Sequence, residues 1–394
     1  MRLWFDSHCS NWMFLIHSSS LALFACLGCM TYLPSAKDLA VWRRWLGIYT
    51  VVFWEKRISY KSLVVGPAWV GDMVMAQALY KAINRHSNSA EIHVVAPAWS
   101  RPLLDRMPEI TKVHDLVVKH GELGLQKRYQ LGKSLKCELF DQALILPRSY
   151  KAALVPMFAQ ITKRVGELGE FRYGLVNHVL SSNKNKGLPT ACNYLRYAEI
   201  NADINQVKNE FAPALTVDSE NQARVIDAFG ISQASPLIAC MVGAEYGPSK
   251  QWPKQHFVGL IDQLTAQGLE VCILGSQKDA DIADEIETSC RQKVSNLCGK
   301  TSLLDVIDIL ASCSAAVSND SGLMHIAAAV DVPVVAMYGA TSPVYTPPLH
   351  PKAKSFYMKL ECSPCWKRSC QYQHYRCLKD ILPEQVGKAV LDRL

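Results

Sequence analysis

Short apolar runs alternate with longer stretches of mixed polarity along most of this chain. Ser62 to Val65, Glu91 to Val95, Val113 to Val118 and Ala143 to Leu146 read as short strands rich in apolar and β-branched residues. The segment from Asp72 to His86 reads as a helix. A second series opens at Leu237 to Val242. It continues through Glu270 to Leu274, Ala315 to Ser318 and Pro333 to Tyr338. Helices over Lys254 to Gln267, Asp279 to Cys290 and Leu303 to Ala311 separate these strands. Strand, helix, strand is the rhythm of parallel, doubly wound α/β sheets. It comes in two blocks with a boundary near Ser232 to Pro236. The expected domains are therefore 61–235 and 236–394, both Rossmann-like. The polar stretch Ser181 to Gly187 reads as a loop of the first domain.

Residues 1–60 follow another pattern. They hold Trp4, Trp12, Trp42, Trp45 and Trp54, five of the nine tryptophans. Trp12 to Leu33 carries no Asp, Glu, Lys or Arg, and its 22 residues could cross a bilayer. His17, the serines 18–20 and Gly28 dilute it. Lys37, Arg43, Arg44, Lys56 and Arg57 follow, which would leave the body on the cytoplasmic side. A membrane anchor or interfacial segment is one reading, and a true start near Lys61, with unrelated sequence added upstream, is another. A cleaved signal peptide fits poorly, because the leading region is weakly basic and no small-x-small site follows.

Composition bounds the function. At 394 residues and 49% apolar content the chain can build two ordinary cores. A net charge of +7 is too diffuse for a dedicated nucleic-acid binder, but suits an approach to an anionic membrane or a phosphorylated acceptor. Of the 14 cysteines, Cys137, Cys192, Cys240, Cys272, Cys290, Cys298 and Cys313 lack framework spacing and read as buried free thiols.

Three segments carry candidate chemistry. Ala315-Ala316-Val317 leads into Ser318-Asn319-Asp320-Ser321-Gly322, and then a small-residue helix carries His325. Strand, polar turn and helix N-terminus make an anion site, because unpaired N–H groups and the helix dipole point outward. Gly322 lets a ligand approach the backbone, and His325 lies one turn in. Leu63 to Asp72 is a strand running through Gly66, Pro67, Trp69 and Gly71 to a carboxylate at a helix start. Gly243 to Pro253 is a strand end followed by a loop whose lysine is Lys250, with Trp252-Pro253 to anchor it. Gly275-Ser276 follows a further strand. Asp279-Ala280-Asp281 spells an Asp-x-Asp pattern but opens an exposed-looking helix, so it is discounted as a metal site.

Together these segments resemble the ADP-heptose:lipopolysaccharide heptosyltransferases, glycosyltransferase family 9, most closely the type II branch. The likeness continues through Tyr338-Gly339-Ala340-Thr341-Ser342-Pro343, Thr346-Pro347-Pro348-Leu349 and Cys362-Ser363-Pro364-Cys365-Trp366-Lys367-Arg368, and covers roughly Lys61 to the C-terminus. It implies the GT-B fold, two Rossmann-like domains across a cleft. It implies an inverting transfer of heptose from ADP-heptose, a substrate, to the first heptose of the inner core on heptosyl-Kdo2-lipid A, with no required cofactor. It places the catalytic base at Asp72, and the donor site at Gly243, Lys250, Ser276, Asp320, Ser321, Gly322 and His325. Trp69, Lys367 and Arg368 would meet the acceptor. The expected location is peripheral, on the cytoplasmic face of the inner membrane. Cys362, Cys365, Cys370 and Cys377, with His374 between, have spacing compatible with a structural Zn²⁺ or with free thiols. Gln373 stands where the family usually has glycine.

Three rivals remain open and a fourth is disfavoured. A type I heptosyltransferase would use another acceptor. A GT-B-like sugar-nucleotide epimerase would act on donor alone. A non-catalytic protein would bind ADP-sugar without transfer. A dinucleotide dehydrogenase is disfavoured, because Gly66 and Gly71 do not make Gly-x-Gly-x-x-Gly.

Overall fold

Two parallel six-stranded sheets organise the chain. The computed structural model describes residues 60–86, 89–119, 121–181, 187–232 and 234–394. The expectations for residues 1–59 and for most of the 181–187 loop fall outside these residues.

The first sheet contains β1 (Lys61–Val65), β2 (Glu91–Pro97), β3 (Lys112–Leu116), β4 (Gln142–Ile145), β5 (Lys163–Glu167) and β6 (His178–Leu180). Their spatial order is β3-β2-β1-β4-β5-β6. β1 is central, with Val64 opposite Val94 on one side and Leu144 on the other. The second sheet contains β7 (Leu237–Met241), β8 (Glu270–Leu274), β9 (Ser295–Asn296), β10 (Ala315–Asn319), β11 (Val334–Tyr338) and β12 (Lys354–Tyr357), in the order β12-β11-β10-β7-β8-β9. In each sheet the chain moves outward from its first strand, then returns to that strand's other side. The crevice opens where the order reverses, at β1/β4 and at β7/β10, outside the strands' carboxyl ends.

The principal helices are α1 (Val70–His86), α2 (Leu125–Leu135), α3 (Leu154–Phe158), α4 (Thr190–Leu195), α5 (Ser219–Ala228), α6 (Lys254–Thr265), α7 (Ala280–Ser289), α8 (Leu303–Leu310), α9 (Gly322–Ala329) and α10 (Pro383–Leu391). From Met73 to Leu79 every residue of α1 is buried. A helix apolar all round must be covered all round. One apolar cluster accordingly runs from Val64 and Met75 in the first domain to Met324 and Ala327 in the second.

The inner strands match expectation to within a residue or two. β5, β6, β9 and β12 were not expected. β5 (Lys-Arg-Val-Gly-Glu) and β12 (Lys-Ser-Phe-Tyr) are polar, and β6, β9 and β12 are edge or near-edge segments of at most four residues. Edge strands are half solvated and lose the apolar signal that marks inner ones. Cys192, Cys240, Cys272, Cys298 and Cys313 are buried free thiols as read, but Cys137 is exposed and Cys290 only partly covered. Cys137 lies in a surface turn after α2 rather than in a packed element.

Candidate active site

Both crevices are lined by the same kind of segment, a strand end, a tight turn and a helix N-terminus. After β1, the Trp69 carbonyl accepts from Met73 N at 2.9 Å, so α1 starts at Val70 and Asp72 lies in its first turn, not at its cap. The free N–H groups and positive pole of α1 therefore surround a carboxylate. Burial nevertheless dominates and raises the Asp72 pKa to about 6; Lys250 pulls it down and Asp320 pushes it up.

The second domain supplies those two neighbours. Lys250 Nζ donates to Asp320 Oδ2 at 2.6 Å. The same oxygen accepts from Thr341 Oγ1 at 2.6 Å, and Asp320 Oδ1 accepts from Thr346 Oγ1 at 3.3 Å. Asp320 is buried and both its oxygens are engaged within the protein, so it orders the loops around it. Asn319, at the end of β10, donates to the carbonyls of Val242 (2.9 Å) and Gly243 (3.2 Å) and accepts from Trp252 N at 2.9 Å. It thus fastens the Lys250 loop at both ends. Trp252 is buried and its Nε1 donates to Ile381 O at 3.0 Å, the anchor the sequence suggested.

Ser321 caps α9 in extended conformation, without a side-chain bond to the helix; its Oγ pairs with Ser318 Oγ at 3.1 Å. The first N–H groups of α9 have no intrahelical carbonyl to meet. Two glycines let α9 and α1 touch end to end. A Cβ on Gly322 would lie 2.7 Å from Val70 Cβ, and one on Gly71 would lie 2.6 Å from His325 Cδ2. His325 is buried, and burial lowers its pKa to about 4, with Asp320 opposing and Lys250 adding to the shift. Its ring is neutral at pH 7, so any hydrogen bond it donates is uncharged.

Similarity to known proteins fits this arrangement. Residues 128–376 match the model of glycosyltransferase family 9 (heptosyltransferase). The chain belongs to that family. It is 39% identical over 334 residues to lipopolysaccharide heptosyltransferase 2 of Salmonella typhimurium, covering 83% of this chain and 96% of that protein. It is 43% identical over 323 residues to lipooligosaccharide heptosyltransferase 2 of Haemophilus ducreyi, covering 74% and 87%. The solved structure of E. coli ADP-heptose lps heptosyltransferase II superposes with a TM-score of 0.73 at 37% identity, over 84% of this chain and 98% of that one. The family's GT-B fold, two facing α/β domains, is the architecture seen here.

In this family member, Asp72, Lys250, Asp320, Ser321, Gly322 and His325 gather where the two domains meet. Gly243 borders them, and a Cβ there would strike the Asp279 carboxylate at 2.4 Å. Ser276 sits one strand away and is exposed. It forms a capping box in which its N and Oγ both donate to Asp279 Oδ2, at 2.9 and 2.7 Å. Those bonds give Asp279 a structural task at the head of α7. Trp69 is exposed beside Asp72.

Lys367 and Arg368 lie against the Lys250 loop. Their carbonyls accept from Ser249 Oγ and, at 3.2 Å, Ser249 N. The Arg368 guanidinium lies over the Tyr246 ring, as does Lys250 Nζ at 5.1 Å. The four C-terminal cysteines are free thiols. Cys362 Sγ is 3.9 Å from His374 Nε2, but His374 Nδ1 accepts from Arg376 N and its ring stacks on Tyr372. Among the described residues, no group of three or more His, Cys, Asp or Glu side chains is placed to hold a metal ion.

Sequence reasoning missed Gly71, Asn319, Thr341 and Thr346 as site residues. All four lie in segments already singled out, yet their roles are contacts between distant loops, and spacing along the chain does not reveal those.

Proposed function

We propose that this chain is an inverting glycosyltransferase that moves L-glycero-D-manno-heptose from ADP-heptose to the first heptose of the lipopolysaccharide inner core, as a heptosyltransferase II. The observation that carries the reading is the meeting of Asp72, from one switch point, with the Lys250–Asp320 pair and the α9 N-terminus from the other. Asp72 takes the proton from the acceptor hydroxyl. The freed oxygen attacks the anomeric carbon, and the bond from that carbon to the diphosphate oxygen breaks. ADP leaves with the bonding electrons. Lys250 and the N–H groups of Ser321 and Gly322 meet the charge that develops on the departing phosphate. A pKa near 6 keeps Asp72 ionised at neutral pH while making it a better base than an ordinary carboxylate.

The acceptor is heptosyl-Kdo2-lipid A, met from the cytoplasmic face of the inner membrane. Among the described residues no helix is long and apolar enough to cross a membrane, so the described body would act from the surface. The test incubates the purified full-length chain with ADP-heptose and mono-heptosylated Kdo-lipid A, following ADP release and acceptor mass. A gain of one heptose is expected. ADP-heptose bound without transfer would overturn the acceptor. Conversion of donor in the absence of acceptor would favour the epimerase.

A further inference from the structure

We infer that the rim formed by the loops after β3, β4 and β5 is a membrane-docking edge that takes an anionic lipid surface. The inference rests on the reading of the acceptor as lipid-borne, and deepens it by naming the surface that meets the lipid.

The three loops are stitched into one body. Lys151 Nζ, after β4, donates to Glu122 O, after β3, at 3.3 Å. Glu170, after β5, accepts from Tyr150 N at 2.8 Å. Arg172 is fully buried, and its guanidinium donates to the carbonyls of Glu167 (2.9 Å), Pro147 (2.6 Å) and Ser149 (3.3 Å). Glu170 and Phe171 both have left-handed backbones, with φ of 44° and 54°. Such conformations cost about 1–3 kcal/mol each and persist where the surroundings over-determine them. Here the bend turns Arg172 inward and leaves its two neighbours outside. Phe171 is 89% exposed and Tyr173 71%. Tyr150, Leu123 and Leu125 add exposed apolar surface on the linked loops.

Exposed aromatic rings on one braced edge need a reason. The charges around them point to lipid. Lys119 and Lys127 are exposed cations, as is Arg148, whose Nε lies 3.5 Å from the Glu167 carboxylate. Two exposed acids share the rim, each with a carboxylate oxygen bonded to a backbone N–H, Glu122 to Lys119 N at 2.9 Å and Glu170 to Tyr150 N at 2.8 Å. Aromatic and aliphatic side chains flanked by cations are what an anionic membrane interface selects. The rim also lies on the same end of the sheet as Asp72. β5 is two strands from β1, about 10 Å at the usual spacing. An edge resting on the bilayer would bring the base close to a saccharide that projects from it.

The experiment uses the full-length chain with vesicles of phosphatidylcholine, alone or mixed with phosphatidylglycerol. The F171S/Y173S variant is expected to partition onto the mixed vesicles about tenfold more weakly than the parent. L139S is the control: Leu139 is as exposed as Tyr173 but precedes β4, at the opposite end of the sheet, and its variant should partition as the parent does. Emission of the indole added in F171W should be quenched by brominated lipid. Transfer to a deacylated, soluble acceptor should be unchanged in F171S/Y173S, which also shows that the variant folds, while transfer to vesicle-borne acceptor falls. Unchanged partition, or an unquenched indole, overturns the inference. So does loss of self-association in place of loss of vesicle binding, which would assign the edge to a second copy. If the parent transfers heptose to neither acceptor, the proposed function fails, and the vesicle measurements still decide the surface.

Discussion

Asp72 and Asp308 are both acids where the two domains meet, and the protein treats them oppositely. Asp308, on α8, is fully buried and fully answered. It accepts from Arg106 Nη2 at 2.7 Å, from Asp218 N at 3.0 Å and from Asn221 Nδ2 at 2.6 Å. Those donors come from the first domain and from α5 with its cap, so the carboxylate clamps the domains together. Asp72 stands in the crevice, with a like charge, Asp320, among its neighbours and its cationic neighbour Lys250 already paired to that charge. Desolvation then wins over attraction and the proton is held more tightly. A satisfied carboxylate serves architecture, whereas one left short of partners stays reactive.

The sharpest way to break this contrast is to remove each charge in turn. D72N should lower kcat by about 10²–10⁴-fold with little change in ADP-heptose affinity, read by steady-state kinetics and calorimetry. In the parent, kcat/KM should fall about tenfold per pH unit below about 6, because protonated Asp72 cannot accept the acceptor's proton. Normal turnover by D72N would end the base assignment. R106L leaves Asp308 short of a partner at the clamp. It should cost roughly 3–5 kcal/mol in denaturant unfolding without moving the pH profile of the remaining activity.

A smaller effect separates sterics from charge. G71A drives a methyl group into the His325 ring and should destabilise by about 1–3 kcal/mol while lowering kcat/KM. Adding H325A should restore part of the stability, and failure to do so would show that the contact is not the cause. The smallest change belongs to Ser276. S276A removes half of the α7-leading capping box and should cost about 1 kcal/mol in thermal unfolding. A matching loss of ADP-heptose affinity would show that Ser276 meets the donor as well.

Much of this was legible in the sequence. β1, β7, β8 and β10 are buried on both faces, so their apolar runs announced them, and the turns after β1, β7 and β10 carried the acid, the cation and the helix N-terminus that meet in the crevice. What could not be read was which residues meet across the cleft. The sequence placed Lys250 in a loop after β7, but nothing in its spacing foretold the pair with Asp320, 70 positions away. Gly71 looked like a turn glycine, yet what requires it is a ring from the other domain. β5 and β12 escaped because a polar strand near a sheet edge has no period to show.

The end-to-end contact of α1 and α9 has a thermodynamic consequence of its own. Folding raises Asp72 from 3.8 to about 6, so between those values the native chain holds a proton that the unfolded chain has released, and Asp72 makes stability fall as pH rises. Folding lowers His325 from 6.5 to about 4, so over nearly the same window the native chain lacks a proton that the unfolded chain holds, and His325 makes stability rise with pH. The two slopes oppose and largely cancel. Together Asp72 and His325 therefore leave folding close to proton-neutral across mildly acidic pH, although each is strongly displaced.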